Sequence, residues 1–405
     1  MGKIFDDKIV EKINKEFGEG SMVRASELPP IPMVHSGSLS LDFAIGAGGI
    51  PTNRVVEICG SEGSGKTTLA LLIARQVIDR NPQRGLVYID LEHKITPSWM
   101  EQLVGSERMD NIMVVSPDSM EQAHEIYRRL VKGGKVAMVI VDSIGGAPTN
   151  QAMDDTRNVA EKAASMGGNA KAVSEFSRLA NNLSSKYDCL TVGINQTRDD
   201  TKSRHGNMLQ TPGGHAWKHA CVLRIELRRG FEKYTIKRGG EEVVVGFDVR
   251  AKIIKNQLGG QEGRTCEWRF FTEITDQFGD FGIDTTEECV RLAKAVGVVT
   301  QAGAYYRHPA FPDGQVMGGA KMLSLIKEDA KVREAVIGSV MDALSRDPDK
   351  VSEIAPILAD EDNGLPLAYK DGPFQDVVDQ TDKEDRASAA GLDKLAERRR
   401  EEMSK

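Results

Sequence analysis

The sequence predicts an α/β fold: a mostly parallel, twisted sheet flanked by helices, with an antiparallel extension. Three observations predict it. Short β-branched runs alternate with helical patterns from about residue 35 to 273. One run, residues 136–141, is Val-Ala-Met-Val-Ile-Val, and such unbroken apolar strands are buried on both faces, as in parallel sheets covered by helices. A glycine-rich stretch at 60–67 joins a strand pattern to a helical one.

Four regions follow in order. Residues 1–34 open with a helix in which Ile9, Val10, Ile13 and Phe17 share one face; Gly18 and Gly20 end it, and Leu-Pro-Pro-Ile-Pro at 28–32 breaks regular structure. Residues 35–273 form the main domain. Its expected strands are Arg54–Cys59, Leu86–Asp90, Asn111–Val115, Val136–Val141, Leu190–Asn195, Val222–Arg228 and Asp248–Lys255, and its expected helices Thr67–Asp79, Ser119–Lys132 and Ala172–Tyr187. The late strands read as the antiparallel extension, with Gly239-Gly240 as a turn. Residues 274–345 read as a small α/β C-terminal domain with a mostly helical pattern, and 346–405 as an acidic tail expected to be disordered.

Composition narrows the class. The five cysteines are scattered and never spaced Cys-x-x-Cys, which argues against a disulfide framework or zinc site and fits a reducing compartment. The N-terminus lacks the apolar core of a signal peptide, and no stretch approaches the roughly 20 apolar residues of a membrane span. A soluble, cytoplasmic protein is expected. The net charge of −7 is local: residues 347–385 hold 12 acidic and 3 basic side chains, and residues 1–346 hold 44 of each sign. A negative total therefore does not exclude nucleic acid as a partner of the body.

Gly60-Ser61-Glu62-Gly63-Ser64-Gly65-Lys66-Thr67, followed by Thr68, is a phosphate-binding P-loop in strand–loop–helix context. Its glycines let successive N–H groups face phosphate oxygens at a helix N-terminus. Lys66 suits the β/γ-phosphates of ATP, and the Thr67 hydroxyl suits Mg²⁺. Asp142, ending an apolar strand about 75 residues on, is a second candidate Mg²⁺ ligand. Glu92, just past the second strand, is placed to orient an attacking water, because strand ends beside such a loop face the nucleotide.

Seven blocks then coincide with one family. They are SGSLSLDFAIGAGGIP (36–51), EICGSEGSGKTTLAL (57–71), YIDLEH (88–93), VIVDS (139–143), INQTR (194–198), TPGGHAWK (211–218) and KIIKNQ (252–257). In their order and spacing the chain resembles the bacterial-type RecA recombinases, including phage-encoded relatives, over about residues 5–345. The resemblance implies a RecA-like P-loop ATPase core that forms a helical homopolymer on single-stranded DNA, samples double-stranded DNA and exchanges strands, using ATP and Mg²⁺. It implies Glu92 as general base, Gln196 as sensor of the terminal phosphate, Trp99 stacked on adenine, and Lys255 reaching the ATP of a neighbouring subunit. It places DNA-binding loops at about 149–171 and 197–212, with Lys171, Arg178, Arg198, Lys202, Arg204, Gly213 and Gly214 as contacts, and a second DNA path at Arg229, Arg250 and Lys252, beside Arg228. It further implies an N-terminal helix docking on the next subunit, and loader, single-strand-binding or repressor proteins as partners.

Departures from the family pattern are Gln257, where a second cross-interface lysine is usual, Thr201 and His205 in the second loop, and His215 in place of arginine. Two other readings share these motifs. One is a helicase-like or regulatory motor on the same core. The other is an ATP-gated filament that shields DNA without exchanging strands. The acidic tail would compete with DNA for basic surface.

Overall fold

The computed structural model describes residues 7–18, 20–46, 48–146, 148–150, 166–199, 209–210 and 212–346. The chain forms two compact units that meet in sequence between Pro32 and Met33. In the first, helix α1 (Asp7–Phe17) leaves Ile9 and Phe17 largely exposed. The Asn14 side chain closes the following turn, donating to the Met22 carbonyl at 3.0 Å and accepting from its N–H at 2.8 Å.

The second unit opens with β1 (Met33–Val34), α2 (Leu39–Ile45) and β2 (Ile50–Pro51), and then alternates strand and helix. The alternating elements are β3 (Val55–Gly60), α3 (Lys66–Arg80), β4 (Gly85–Asp90), α4 (Pro97–Val104), β5 (Ile112–Val115), α5 (Met120–Lys132), β6 (Val136–Asp142), α6 (Met166–Lys186) and β7 (Leu190–Gln196). Two short strands, β8 (Arg198–Asp199) and β9 (Leu209–Gln210), pair with each other ahead of α7 (Gly214–Ala220). Then come β10 (Leu223–Arg238), β11 (Glu241–Asn256), β12 (Thr265–Phe271) and β13 (Gly282–Ile283).

The main sheet has the order β13-β12-β11-β10-β3-β7-β6-β4-β5. Strands β10, β3, β7, β6, β4 and β5 run parallel, and β11 to β13 extend the sheet antiparallel. The β10–β11 hairpin turns at Gly239-Gly240, where φ of +62° and +89° at consecutive residues suits the primed turns that match strand twist.

Alternation along the parallel strands divides the core. Val56, Ile58, Leu86, Tyr88, Met138 and Ile140 pack against α3 and α4. Their neighbours Val55, Val87, Ile89, Val139 and Val141 pack with residues of α5, α6 and α7. Side chains two apart share a face, so each strand feeds both layers. A third cluster joins Phe43 of α2 to α8 (Thr285–Ala295), α9 (Gly319–Glu328) and α10 (Ala330–Arg346). The tie is also polar. Glu288 of α8 is buried, accepts from the Ser38 hydroxyl at 2.6 Å and from the Leu39 and Ser40 N–H groups, and so caps α2 from 250 residues away. Burial pushes its carboxyl up to about 7.

Three differences from the sequence reading have local causes. Helix α6 begins at Met166, six residues before the expected Ala172, although Gly167 and Gly168 disfavour helix; the buried face of Ala172, Val173 and Phe176 anchors it, and lengthening a formed helix by a turn costs little. The region read as mostly helical also contains a three-stranded antiparallel sheet, β14 (Thr300–Ala302), β15 (Tyr305–Arg307) and β16 (Gln315–Met317), whose strands are too short to show a period. Strand β10 continues ten residues beyond Arg228, carried by its pairing with β11.

Gly193, inside β7, lets this architecture close. A Cβ there would lie 2.1 Å from the indole of Trp217, which is fully buried on α7 and stacked on Phe176. Gly193→Ala is expected to lower stability by about 1–3 kcal/mol through overpacking, read as a lower denaturant midpoint; an unchanged midpoint would show that α7 yields without cost.

Candidate active site

Strands β3, β4, β6 and β7 are parallel neighbours, so their C-terminal ends share one edge of the sheet. Ligands of open α/β sheets bind at that edge. Here it carries the 60–67 loop after β3, Glu92 after β4, Asp142 at the end of β6 and Gln196 at the end of β7. A cavity of about 250 Å³ lies among them, and Glu62, Gly63, Lys66, Thr67, Trp99 and Gln196 are part of its wall together with Tyr88, Glu92, Lys94 and Asp142.

The loop is held by its own side chains. Ser64 Oγ and Lys66 Nζ both donate to the Ser61 carbonyl, at 2.9 and 2.6 Å, drawing the lysine back across the turn. Gly65, at φ +91°, is the residue before α3, a backbone region that favours glycine. Lys66 is buried, which lowers its affinity for a proton, while the charges of Asp142 and Glu92 oppose that shift. Gly60 ends β3, and Thr68 sits half-buried in the first turn of α3.

Asp142 Oδ2 accepts from Thr67 Oγ1 at 2.9 Å and from the Tyr88 hydroxyl at 2.6 Å. Burial raises its carboxyl above the usual range, and the two hydroxyl donors counter only part of that rise. Glu92 is differently placed. Its Oε1 accepts from Ser143 Oγ at 2.5 Å and Gln196 Nε2 at 3.1 Å, and its Oε2 accepts from Lys94 Nζ at 2.8 Å. Burial pushes the Glu92 carboxyl up, but the bonds from Lys94, Ser143 and Gln196 outweigh it and leave the group below its ordinary value. Two carboxylates in one cavity are thus tuned in opposite directions, the pattern that separates roles in hydrolytic sites.

The turn after β4 puts Glu92 there. Asp90 is buried and accepts from the Lys94 and Ile95 N–H groups at 3.4 and 3.3 Å, and His93 takes a left-handed φ of +55°. Trp99 on α4 meets Phe270 and Phe281 edge-on, with centroids 6.4 and 5.9 Å apart, while also lining the cavity.

A family model described as the RecA N-terminal domain matches residues 4–265. Protein RecA of Thermus thermophilus is 33% identical over 344 residues, covering 83% of this chain and 93% of that protein. This chain belongs to the RecA family. Protein RecA of Thermus aquaticus is 31% identical over 341 residues, with 83% and 93% covered, and Protein RecA of Listeria monocytogenes serotype 1/2a is 31% identical over 364 residues, with 88% and 98% covered. Membership makes the chain an ATP-dependent recombinase of DNA recombination and repair, one that binds DNA and self-associates. No helix among the described residues is long and apolar enough to cross a membrane, and all five cysteines are buried free thiols.

The remaining residues singled out in the sequence take varied positions in this chain. Lys255 Nζ lies on the carbonyls of Lys218 and His219 at the end of α7, at 2.9 and 3.2 Å, and not in the cavity wall. Lys171 and Arg178 are exposed on α6, Gly213 and Gly214 lead into α7, and Lys252 is exposed on β11. The Arg229 guanidinium lies 3.8 Å from the centre of the Phe247 ring, and Arg250 is paired with buried Glu267 at 2.7 Å. Arg198 belongs to β8. Lys202 and Arg204, with Thr201, His205, most of the first loop and the acidic tail, lie outside the described residues.

The structure adds Tyr88, Ser143 and Lys94 to the site. Tyr88 was readable in principle, since two-residue alternation along β4 puts it on the same side as Asp90 at the strand's end. Tyr88→Phe removes a donor from a buried carboxylate and is expected to cost about 1.5–3 kcal/mol in chemical denaturation; a loss near zero would mean that the Thr67 hydroxyl alone satisfies Asp142.

Proposed function

We propose that this cavity hydrolyses ATP and that Glu92 is its general base, with Gln196 relaying the state of the terminal phosphate to the second DNA loop. The observation that carries the reading is the Gln196–Glu92 hydrogen bond at 3.1 Å. It joins the carboxylate suited to activate water to the last residue of β7, directly ahead of the 197–212 segment. A general base needs its charged form at neutral pH and a fixed direction, and the donors around Glu92 supply both.

The P-loop amides and Lys66 would hold the β/γ-phosphates, and Trp99 would offer its ring to the base. Mg²⁺ fits the donor set at Thr67 and Asp142, two hard oxygens 2.9 Å apart with the carboxylate buried enough to favour a neutralising cation. When bound, the ion supplies charge neutralisation on the phosphates. Thr67 and Asp142 would hold it, with Tyr88 steadying Asp142 and Ser143 holding Glu92 beside them. Lys255 would act across the filament interface, after leaving the α7 carbonyls that it occupies within its own chain.

DNA would bind through the segments behind β6 and β7, with phosphates meeting Lys171, Arg178, Arg198, Lys202 and Arg204 and the backbone at Gly213 and Gly214. Arg229, Arg250 and Lys252 would form a second path on the β10–β11 hairpin. Such backbone contacts give salt-dependent affinity, while base pairing tests the sequence. The regions are assigned as an N-terminal polymerisation segment to residue 34, an ATPase core to 273, a small C-terminal domain to 345 and an acidic tail that screens basic surface. The test is Glu92→Gln. ATP binding and filament assembly on single-stranded DNA are expected to persist while turnover falls by at least about 100-fold. Loss of ATP binding instead would show that Glu92 serves the fold of the cavity and not its chemistry.

A further inference from the structure

Among the described donors to Glu92, Lys94 alone has a mostly exposed side chain. It is 67% exposed, against 16% for Glu92, whereas Ser143 is buried and Gln196 is half-buried at a strand end. Glu92 receives bonds on both oxygens, with Gln196 Nε2 reaching Oε2 as well, at 3.4 Å. A carboxylate offers about four acceptor directions, so this set of donors leaves little room for a water hydrogen. With three donor groups already on it, Glu92 is best opened to a water hydrogen by releasing one of them. Lys94, on a flexible four-carbon stem, is the donor able to leave.

The cavity offers it a second anionic partner when a triphosphate binds. Lys94 lines the cavity with Glu62, Gly63, Lys66 and Thr67, and besides Glu92 it lies in the favourable fields of Glu62 and Asp142. The Asp90-capped turn holds its backbone beside this cavity, while its side chain is mostly exposed and bonded to Glu92. A triphosphate brings several negative charges into that space and competes with Glu92 for the ammonium.

We propose that Lys94 is a further catalytic cation of the ATP site, passing from Glu92 Oε2 to the terminal phosphate of bound ATP. The move frees Oε2 for water and adds positive charge at the reacting group. The water oxygen then attacks the terminal phosphorus, and its proton goes to Glu92 Oε2. The bond from phosphorus to the β–γ bridging oxygen breaks, and the electron pair leaves with ADP. A positive charge aimed at a transferring phosphoryl group lowers the barrier because charge grows there in the transition state. This inference rests on Glu92 as the base.

The experiment uses the full chain on saturating single-stranded DNA, with Lys94→Ala, Lys94→Arg and Glu92→Gln. Steady-state ATP turnover is measured beside equilibrium affinities for ADP and for a non-hydrolysable ATP analogue. Lys94→Ala is expected to lower kcat by about 10–100-fold, to weaken the analogue several-fold, and to leave ADP affinity unchanged, with Lys94→Arg restoring most of the loss. Turnover of Lys94→Ala equal to or above wild type overturns the proposal, the latter showing that Lys94 only restrains Glu92. Equal weakening of ADP and analogue also overturns it, because that marks damage to the cavity as a whole. Glu92→Gln separates the two claims. If that variant is inactive while Lys94→Ala behaves as wild type, the Lys94 assignment alone fails; if Glu92→Gln turns over ATP normally, the base assignment fails and takes this one with it.

Discussion

The contact on which the rest of the site depends is the hydrogen bond between the Gln196 amide and the Glu92 carboxylate. It is a long-range constraint in disguise. β6 lies between β4 and β7, so the two side chains meet over the end of the central strand, beside Ser143. They reach each other because three parallel strands end in register, with Asp90 opposite Asp142 and Asp142 opposite Ile194. A one-residue slip in any of them would turn a side chain to the other face of the sheet and break the contact.

From that contact, the core of the ATPase extends to both ends of the second loop. Gln196 is its entry. At its exit, the Pro212 carbonyl accepts from Asn195 Nδ2 at 2.8 Å, and the same amide donates to buried Glu57 of β3 at 2.9 Å. Glu57 is ion-paired with Arg224, which stands opposite Lys255 across the β10–β11 pairing. Lys255 in turn sits on the last carbonyls of α7, a helix anchored by Trp217 against Phe176 and Gly193. Strand β3, the residues flanking segment 197–212 and Lys255 are therefore linked through Glu57, Arg224 and the β10–β11 pairing. On the proposed assignment of these residues, this linkage would connect the nucleotide to the DNA-binding segment.

Much of this was legible in the residues. Continuous apolar runs marked the parallel strands, because burial on both faces leaves no polar alternation, and the P-loop stood out because its glycines answer a strict backbone demand. Asp142 and Glu92 were legible from position alone, each at or just beyond a strand end. Short elements such as α2, α4 and β14 to β16 carry too few residues to display a period. The donors to the carboxylates were harder still. Ser143 and Lys94 become partners of Glu92 through strand order and a left-handed turn at His93, neither of which has a residue pattern of its own. The expected role of Gln196 came from the resemblance, since an amide at a strand end carries no distinctive chemistry.

The most direct measurement of the central claim is the stimulation of ATP turnover by single-stranded DNA in Gln196→Ala. The account predicts that the variant still binds both ATP and DNA but that its turnover no longer rises when DNA is added, because the proposed base, Glu92, has lost its link to the loop. Full stimulation in Gln196→Ala, with wild-type dependence on DNA concentration, would contradict it.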